Sequence, residues 1–81
     1  MAVPVGPAAL ALFPNPTTDR AATLTGAQPG TVVTVYDALG RPVVTATADA
    51  TGTAALVLPV ELPAGVYLVR TGARAMRLAV E

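Results

Sequence analysis

The stretch TVVTVY, residues 31–36, decides the fold class of this chain. Five of its six residues are β-branched, and β-branched side chains pack well on the pleated, half-buried surface of a sheet. Because side chains alternate between the two faces of a strand, Val33 and Val35 share one face, which we expect to be buried. The stretch therefore predicts a central β-strand.

The residues that follow predict a turn and a returning strand. In DALG, residues 37–40, Asp37 can cap backbone N–H groups and Gly40 can adopt the positive φ that a tight turn needs. Residues 41–47 then form the second strand of a hairpin. Pro42 lacks a backbone donor, so it is acceptable only near the start of that strand or on a sheet edge.

Further short segments alternate in period 2 on both sides of this hairpin, and Pro and Gly separate them. Spacings of roughly 8 to 12 residues without any helical period predict an all-β fold, a small β-sandwich. The remaining predicted strands are residues 8–13, 20–25, 53–58, 66–71 and 75–80. Most apolar residues are small, so we expect six large side chains to dominate the core: Phe13, Leu24, Tyr36, Leu56, Tyr67 and Leu78.

Composition limits the classes of function. The 81 residues suit one domain, and five Arg without Lys balance five acids at zero net charge, with only 12% of residues charged. Such a chain lacks the dense positive surface that nucleic acids require. The sequence has no His, Cys, Ser or Trp, which removes Ser-His and Cys-His nucleophile pairs and zinc sites. We therefore expect no enzyme, no cofactor and no small-molecule substrate.

The five carboxylates follow the same interpretation. Each lies in a predicted turn or at the end of a strand, where Asp commonly caps backbone N–H groups, and no loop carries the several oxygen ligands of a calcium site. We expect structural caps and not an acid–base pair from Asp19, Asp37, Asp49, Glu61 and Glu81.

The start of the chain predicts a linker remnant over residues 1–7, followed by the domain over residues 8–81. Val-Pro-Val-Gly-Pro favours extended backbone that does not pack. A secretory signal is the alternative, but the first positive charge is Arg20, so the basic region of such a signal is missing. No segment approaches the ~20 apolar residues of a membrane helix, and we expect a domain that does not span a membrane.

Three motifs in order carry a family resemblance: LFPNPT at 12–17, VYDALGR at 35–41 and LPAGVYLVR at 62–70. With them, residues 8–81 resemble the C-terminal sorting domain of type IX secretion cargo. The resemblance implies a seven-stranded immunoglobulin-like β-sandwich. It also implies that a covalently attached N-terminal cargo travels through the periplasm and an outer-membrane translocon to the cell surface or medium, and that a sortase then removes the domain.

The resemblance also assigns candidate residues for recognition. Each has a structural interpretation beside it, because Asn15 can cap a turn, Gly65 can ease entry into a buried strand and Tyr67 can anchor the core. The last strand of the family usually carries Lys, which presents a point charge where Arg presents a planar fork. The candidates are Pro14, Asn15, Pro16, Gly40, Gly65, Tyr67, Arg74 and Arg77.

One alternative function is a retained immunoglobulin-like module of a surface protein that binds carbohydrate or mediates adhesion. Such a module needs an exposed aromatic platform, whereas Phe13, Tyr36 and Tyr67 are all expected in the core. A structural spacer domain is a further alternative.

Overall fold

A computed structural model describes residues 10–81 of the chain. Over these residues it contains seven β-strands in two antiparallel sheets and no helix. The strands are β1 Ala11–Phe13, β2 Ala21–Thr25, β3 Val32–Tyr36, β4 Pro42–Thr47, β5 Ala54–Val57, β6 Gly65–Thr71 and β7 Arg74–Val80.

The strand order is β1-β2-β5 in the smaller sheet and β4-β3-β6-β7 in the larger one. The chain crosses between the sheets after β2, β4 and β5, as it does in immunoglobulin-like sandwiches. The predicted all-β sandwich of seven strands is confirmed, and each observed strand lies within its predicted segment or extends it by one residue. The predicted linker over residues 1–7 and the first two residues of the predicted strand 8–13 lie outside the described residues.

The core fills the space between the two inner faces. Val33 and Val35 are fully buried, as the alternation predicts. Of the six large side chains expected there, four are buried, namely Leu24, Leu56, Tyr67 and Leu78.

The predictions that Phe13 and Tyr36 belong to the core are wrong. Phe13 is 50% exposed, because β1 turns the neighbouring Leu12 toward the core, opposite Leu24. Tyr36 is only partly buried, since the alternation that buries Val35 sends the next side chain to the outer face of the larger sheet.

The prediction for Pro42 is confirmed. It is the first residue of β4, and β4 is an edge strand of the larger sheet. The other edge of that sheet is β7, where Thr17 forms a parallel bridge with Val80.

The register gives the sandwich two distinct ends. Gly65 pairs with Val80, and the turn containing Gly40 connects β3 to β4 at the same end; we call this the motif end. Ala11, Gly26, Gly72 and Arg74 lie at the opposite end, which we call the entry end because the described chain begins there.

Candidate functional site

The segment that follows β1 leaves the smaller sheet and runs along the outer edge of β7. The side-chain amide of Asn15 donates to the carbonyl of Arg77 at 2.8 Å, and its oxygen accepts from the N–H of Ala79 at 3.0 Å. The carboxamide thus pairs with the strand edge as a backbone peptide group would. The sequence suggested that Asn15 caps a local turn. The structure shows instead that its partners lie 62 and 64 residues further along the chain.

Thr17 continues the same pairing in the main chain. Its N–H donates to the carbonyl of Ala79 at 2.8 Å, and its carbonyl accepts from the N–H of Glu81 at 2.9 Å. The side chain is fully buried, and the hydroxyl lies 2.9 Å from the carboxylate of Asp19 and 2.8 Å from the carbonyl of Ala21. The segment therefore closes the edge of β7 over its last residues.

Pro14 and Pro16 flank Asn15 on the surface, and the peptide bond before each of them is cis. Neither proline has a backbone N–H, so neither leaves a donor unpaired. The polar contacts of the segment with β7 consequently come from Asn15 and Thr17.

Gly65 and Tyr67 begin the strand that pairs with β7. Gly65 has a φ of +155° and lies opposite Val80, in a region of backbone conformation that side chains rarely permit. Tyr67 lies opposite Leu78, is 4% exposed and donates its hydroxyl to the carbonyl of Pro63 at 2.5 Å. Both its ring and its hydroxyl therefore help to fix the start of β6, which confirms its predicted role as a core anchor.

The turn with Gly40 has the predicted geometry. Gly40 has a φ of +81° and donates its N–H to the carbonyl of Asp37 at 3.0 Å. The carboxylate of Asp37 accepts from the N–H groups of Leu39 and Arg41, each at 2.9 Å, and from Nε of Arg41 at 3.0 Å. The N–H of Arg41 is the main cause that lowers the pKa of Asp37 below its ordinary value.

The second and third motifs adjoin each other across a cavity of about 290 Å³, lined by the turn and by the segment that leads into β6. Asn15 and Gly65 each pair with β7 near its end. The motif end thus brings together seven of the eight predicted candidates, namely Pro14, Asn15, Pro16, Gly40, Gly65, Tyr67 and Arg77.

Arg74 does not belong to this group. It lies at the entry end, partly buried, and its Nη2 donates to the carbonyl of Gly26 at 2.9 Å. Arg77 is exposed on the outer face of the sheet, and only its carbonyl contacts Asn15. Arg74, which the sequence placed in the last turn, and Arg77, which it placed in the last strand, therefore have different positions and different contacts.

The interpretation of the aspartates as caps is confirmed. Asp49 accepts from the N–H groups of Thr51 and Thr53, and the hydroxyl of Thr51 is the main cause that lowers its pKa. Asp19 accepts from the hydroxyl of Thr17, which likewise lowers its pKa. Residues 10–81 contain no cluster of three or more side chains suited to a metal ion.

Two residues that hold distant segments together were not predicted from the sequence. Thr17 looked like an ordinary loop residue, because its partners are in β7. Arg20 has a φ of +62°, its carbonyl accepts from the N–H of Leu58 at 2.8 Å, and its Nη1 donates to the carbonyl of Leu62. A local signal exists only for Thr17, whose hydroxyl precedes Asp19 by two residues in a spacing typical of turns.

The fold and the site define a class: a small β-sandwich whose early motif is fixed to the edge of its last strand. The family model of the secretion system C-terminal sorting domain matches residues 11–78, and the chain belongs to this family of type IX secretion sorting domains. This confirms the resemblance found in the sequence. Comparisons with curated proteins and with solved structures each gave no match.

Membership defines the coarse role of the domain. A type IX sorting domain acts with that secretion system and a fused cargo, and it implies export to the cell surface or the extracellular space. The family is not an enzyme family. Over residues 10–81 we find no helix with the length and apolar character needed to cross a membrane.

Proposed function

We propose that the motif end of the folded domain is the export address that the outer-membrane translocon recognises. In this proposal a sortase cleaves the chain before residue 8 and releases the cargo or joins it to anionic lipopolysaccharide. The observation that carries the proposal is the pairing of Asn15 with Arg77 and Ala79, because it joins residues from both ends of the sequence into one surface. That surface exists only in the folded chain.

The direction in which the chain enters supports the proposal. The described chain begins at the entry end, where Ala11 pairs with Thr25. The strands β6 and β7 each have seven residues, which separates the two ends of the larger sheet by about 20 Å. The first described strand therefore begins on the side of the domain opposite the motif end.

A fusion experiment tests this function. The 81-residue chain is placed behind a Sec-exported fluorescent reporter in a bacterium with type IX machinery, and a translocon-deficient strain serves as the comparison. We expect release from the competent strain alone, with a loss of mass close to that of the domain. Asn15→Ala removes both side-chain bonds to β7 and should leave the reporter in the periplasm.

The matched control is Thr18→Ala, a change to an exposed neighbour in the same segment. This variant should be released as well as the wild type is. Release of Asn15→Ala at the wild-type level would contradict the proposal, and so would a wild-type reporter that stays intact in the periplasm.

A second function has one specific observation in its favour. Tyr36 lies on the outer face of the larger sheet and lines a groove there, so a partly exposed aromatic ring is available on that face. A retained adhesive or carbohydrate-binding module would use such a ring. In the fusion experiment this function predicts a reporter at the surface that keeps the full mass of the domain.

A further inference from the structure

The outer face of the larger sheet contains a groove of about 630 Å³ next to the motif end. Val66 and Leu68 of β6 line it and are 54% and 39% exposed, and Tyr36 lies opposite Leu68. Arg70 and Arg77 line it as well and are exposed. We call this surface, defined by these five residues, the outer groove.

The two arginines give the outer groove a positive charge. Arg77 pairs with Leu68, and Arg70 pairs with Ala75, so the arginines stand diagonally on neighbouring strands. Within residues 10–81 neither guanidinium takes part in an ion pair or a side-chain hydrogen bond. The acid at the rim, Asp37, is already bonded to Arg41.

The outer face of the smaller sheet differs from this surface. The residues that its strands turn outward include Phe13, Thr23, Ala55 and Val57, and none of the three strands contains a charged residue. Unpaired positive charge on the strands is therefore concentrated on the side of the outer groove.

We propose that the outer groove docks an extended, acidic segment of a protein partner. An Arg fork binds a carboxylate through two parallel hydrogen bonds. Diagonal positions on neighbouring strands lie about 7–8 Å apart, which is close to the distance of about 7 Å between side chains i and i+2 of an extended peptide. Two acids in that spacing can each meet one guanidinium, Arg70 or Arg77.

The apolar part of the groove favours a peptide over a polysaccharide. Val66 and Leu68 gain from covering by an aliphatic or aromatic side chain, whereas a hydroxyl-rich sugar offers them little apolar surface. The proposal deepens the proposed function and rests on it, because the partner would be a component of the export machinery. The bond from Asn15 to the carbonyl of Arg77 holds β7 at the same position from the other side.

Photo-crosslinking of the reporter fusion tests the docking surface. A benzoylphenylalanine is placed at Val66 in the outer groove, and at Val57 on the smaller sheet as a control, since both valines are well exposed. We expect a protease-sensitive adduct from position 66 alone. Mass spectrometry should place the crosslink within a few residues of two acids in i, i+2 spacing.

A charge-matched pair of variants keeps this result specific. Arg70→Gln with Arg77→Gln lowers the charge by two in the groove, and Ala55→Glu with Val57→Glu lowers it by two on the other sheet. The first should weaken the position 66 adduct about tenfold or more, because two charge-assisted pairs are lost. The second should leave it unchanged, and circular dichroism of each purified chain verifies the fold.

Three patterns of crosslinking would overturn the docking proposal alone: export without an adduct at position 66, equal adducts at positions 66 and 57, or an adduct that survives the double Gln change. The same holds for an adduct whose crosslinked peptide contains no acids, and for an adduct that resists protease as a glycan does. A wild-type reporter that is not exported overturns the proposed function together with it. The two failures are thus distinguishable.

Discussion

The two ends of the sandwich are held together in different ways. At the entry end, a carbon on Gly52 in the position of a Cβ would lie 2.2 Å from the carbonyl oxygen of Ala27, and Arg74 bonds the carbonyl of Gly26. Of these entry-end residues, only Arg74 is a recognition candidate, and it lies outside the three family motifs. At the motif end, the contacts of Asn15 and Tyr67 come from motif residues, one of them on the surface.

This difference shows that the motif residues are not simply the ones with the tightest packing. Gly52 is packed more tightly than Gly65, around which a Cβ meets no heavy atom within 4 Å. The motifs instead mark the end at which the first segment of the sandwich meets its last strand. Variants matched between the two ends can separate effects on the stability of the fold from effects on recognition of the motif end by the translocon.

The largest effect is expected from Tyr67→Ala at the motif end. Loss of a buried aromatic side chain costs about 3–5 kcal/mol, which is of the order of the whole stability of so small a domain. We expect an unfolded chain by circular dichroism and no export of the reporter. Tyr36→Ala, on the other face of the same sheet, should cost far less because that ring is only partly buried.

A folded and exported Tyr67→Ala chain would show that the anchor is dispensable. Tyr67→Phe separates the ring from the hydroxyl, since it loses only the bond to Pro63, worth about 1 kcal/mol. It should remain folded in urea titrations, with a lower midpoint.

The second prediction compares two glycines. Gly52→Ala brings a Cβ against backbone at a φ of +78° and should cost about 3 kcal/mol, because the main chain of Ala27 must move. Gly65→Ala meets no atom and should cost about 1–2 kcal/mol from its φ alone. Urea unfolding measures both, and export is expressed per folded molecule.

If the motif end is the address, the export per folded molecule falls more for Gly65→Ala than for Gly52→Ala, although the stability falls in the opposite order. If export per folded molecule follows stability in both variants, the motif end has only a structural role, and this result would contradict its recognition by the translocon.

The third prediction uses one polar side chain from each end. Asn15→Ala removes the hydrogen bonds to the carbonyl of Arg77 and from the N–H of Ala79, and Arg74→Met removes the hydrogen bond to the carbonyl of Gly26. Each change should lower the free energy of unfolding by about 1–2 kcal/mol. We expect Arg74→Met to export the reporter and Asn15→Ala to retain it. Retention of both variants would remove the distinction between the ends.

The sequence predicts the strands well because their signals are local. The alternation in residues 31–36 identifies the buried face of β3, and Pro42 identifies an edge strand. The prediction of Phe13 in the core is wrong, because Leu12 and Phe13 are adjacent apolar residues and only the pairing of β1 with β2 decides which one is buried.

The site was less predictable, because its contacts join distant residues. Family resemblance identified Asn15, but nothing within the segment reveals that its amide pairs with the backbone of Arg77. Arg70 was not a candidate at all. It became one through its diagonal position beside Arg77, which requires the register of β6 and β7.

The smallest effect concerns the three aspartate caps, of which Asp37 lies at the motif end and Asp49 at the entry end. Their pKa values in the folded chain are lowered from 3.8 by hydrogen bonds to the carboxylates. Such groups stabilise the fold above pH 3.8, and this contribution is lost as the pH falls through the lowered pKa values. The free energy of unfolding should therefore be level above about pH 5 and should decline below 3.8.

Urea titrations of Asp37→Asn and Asp49→Asn should each show a shallower decline, by similar amounts if the two ends are held alike by their caps. A free energy that rises toward pH 3 in the wild type would contradict this assignment of the carboxylates.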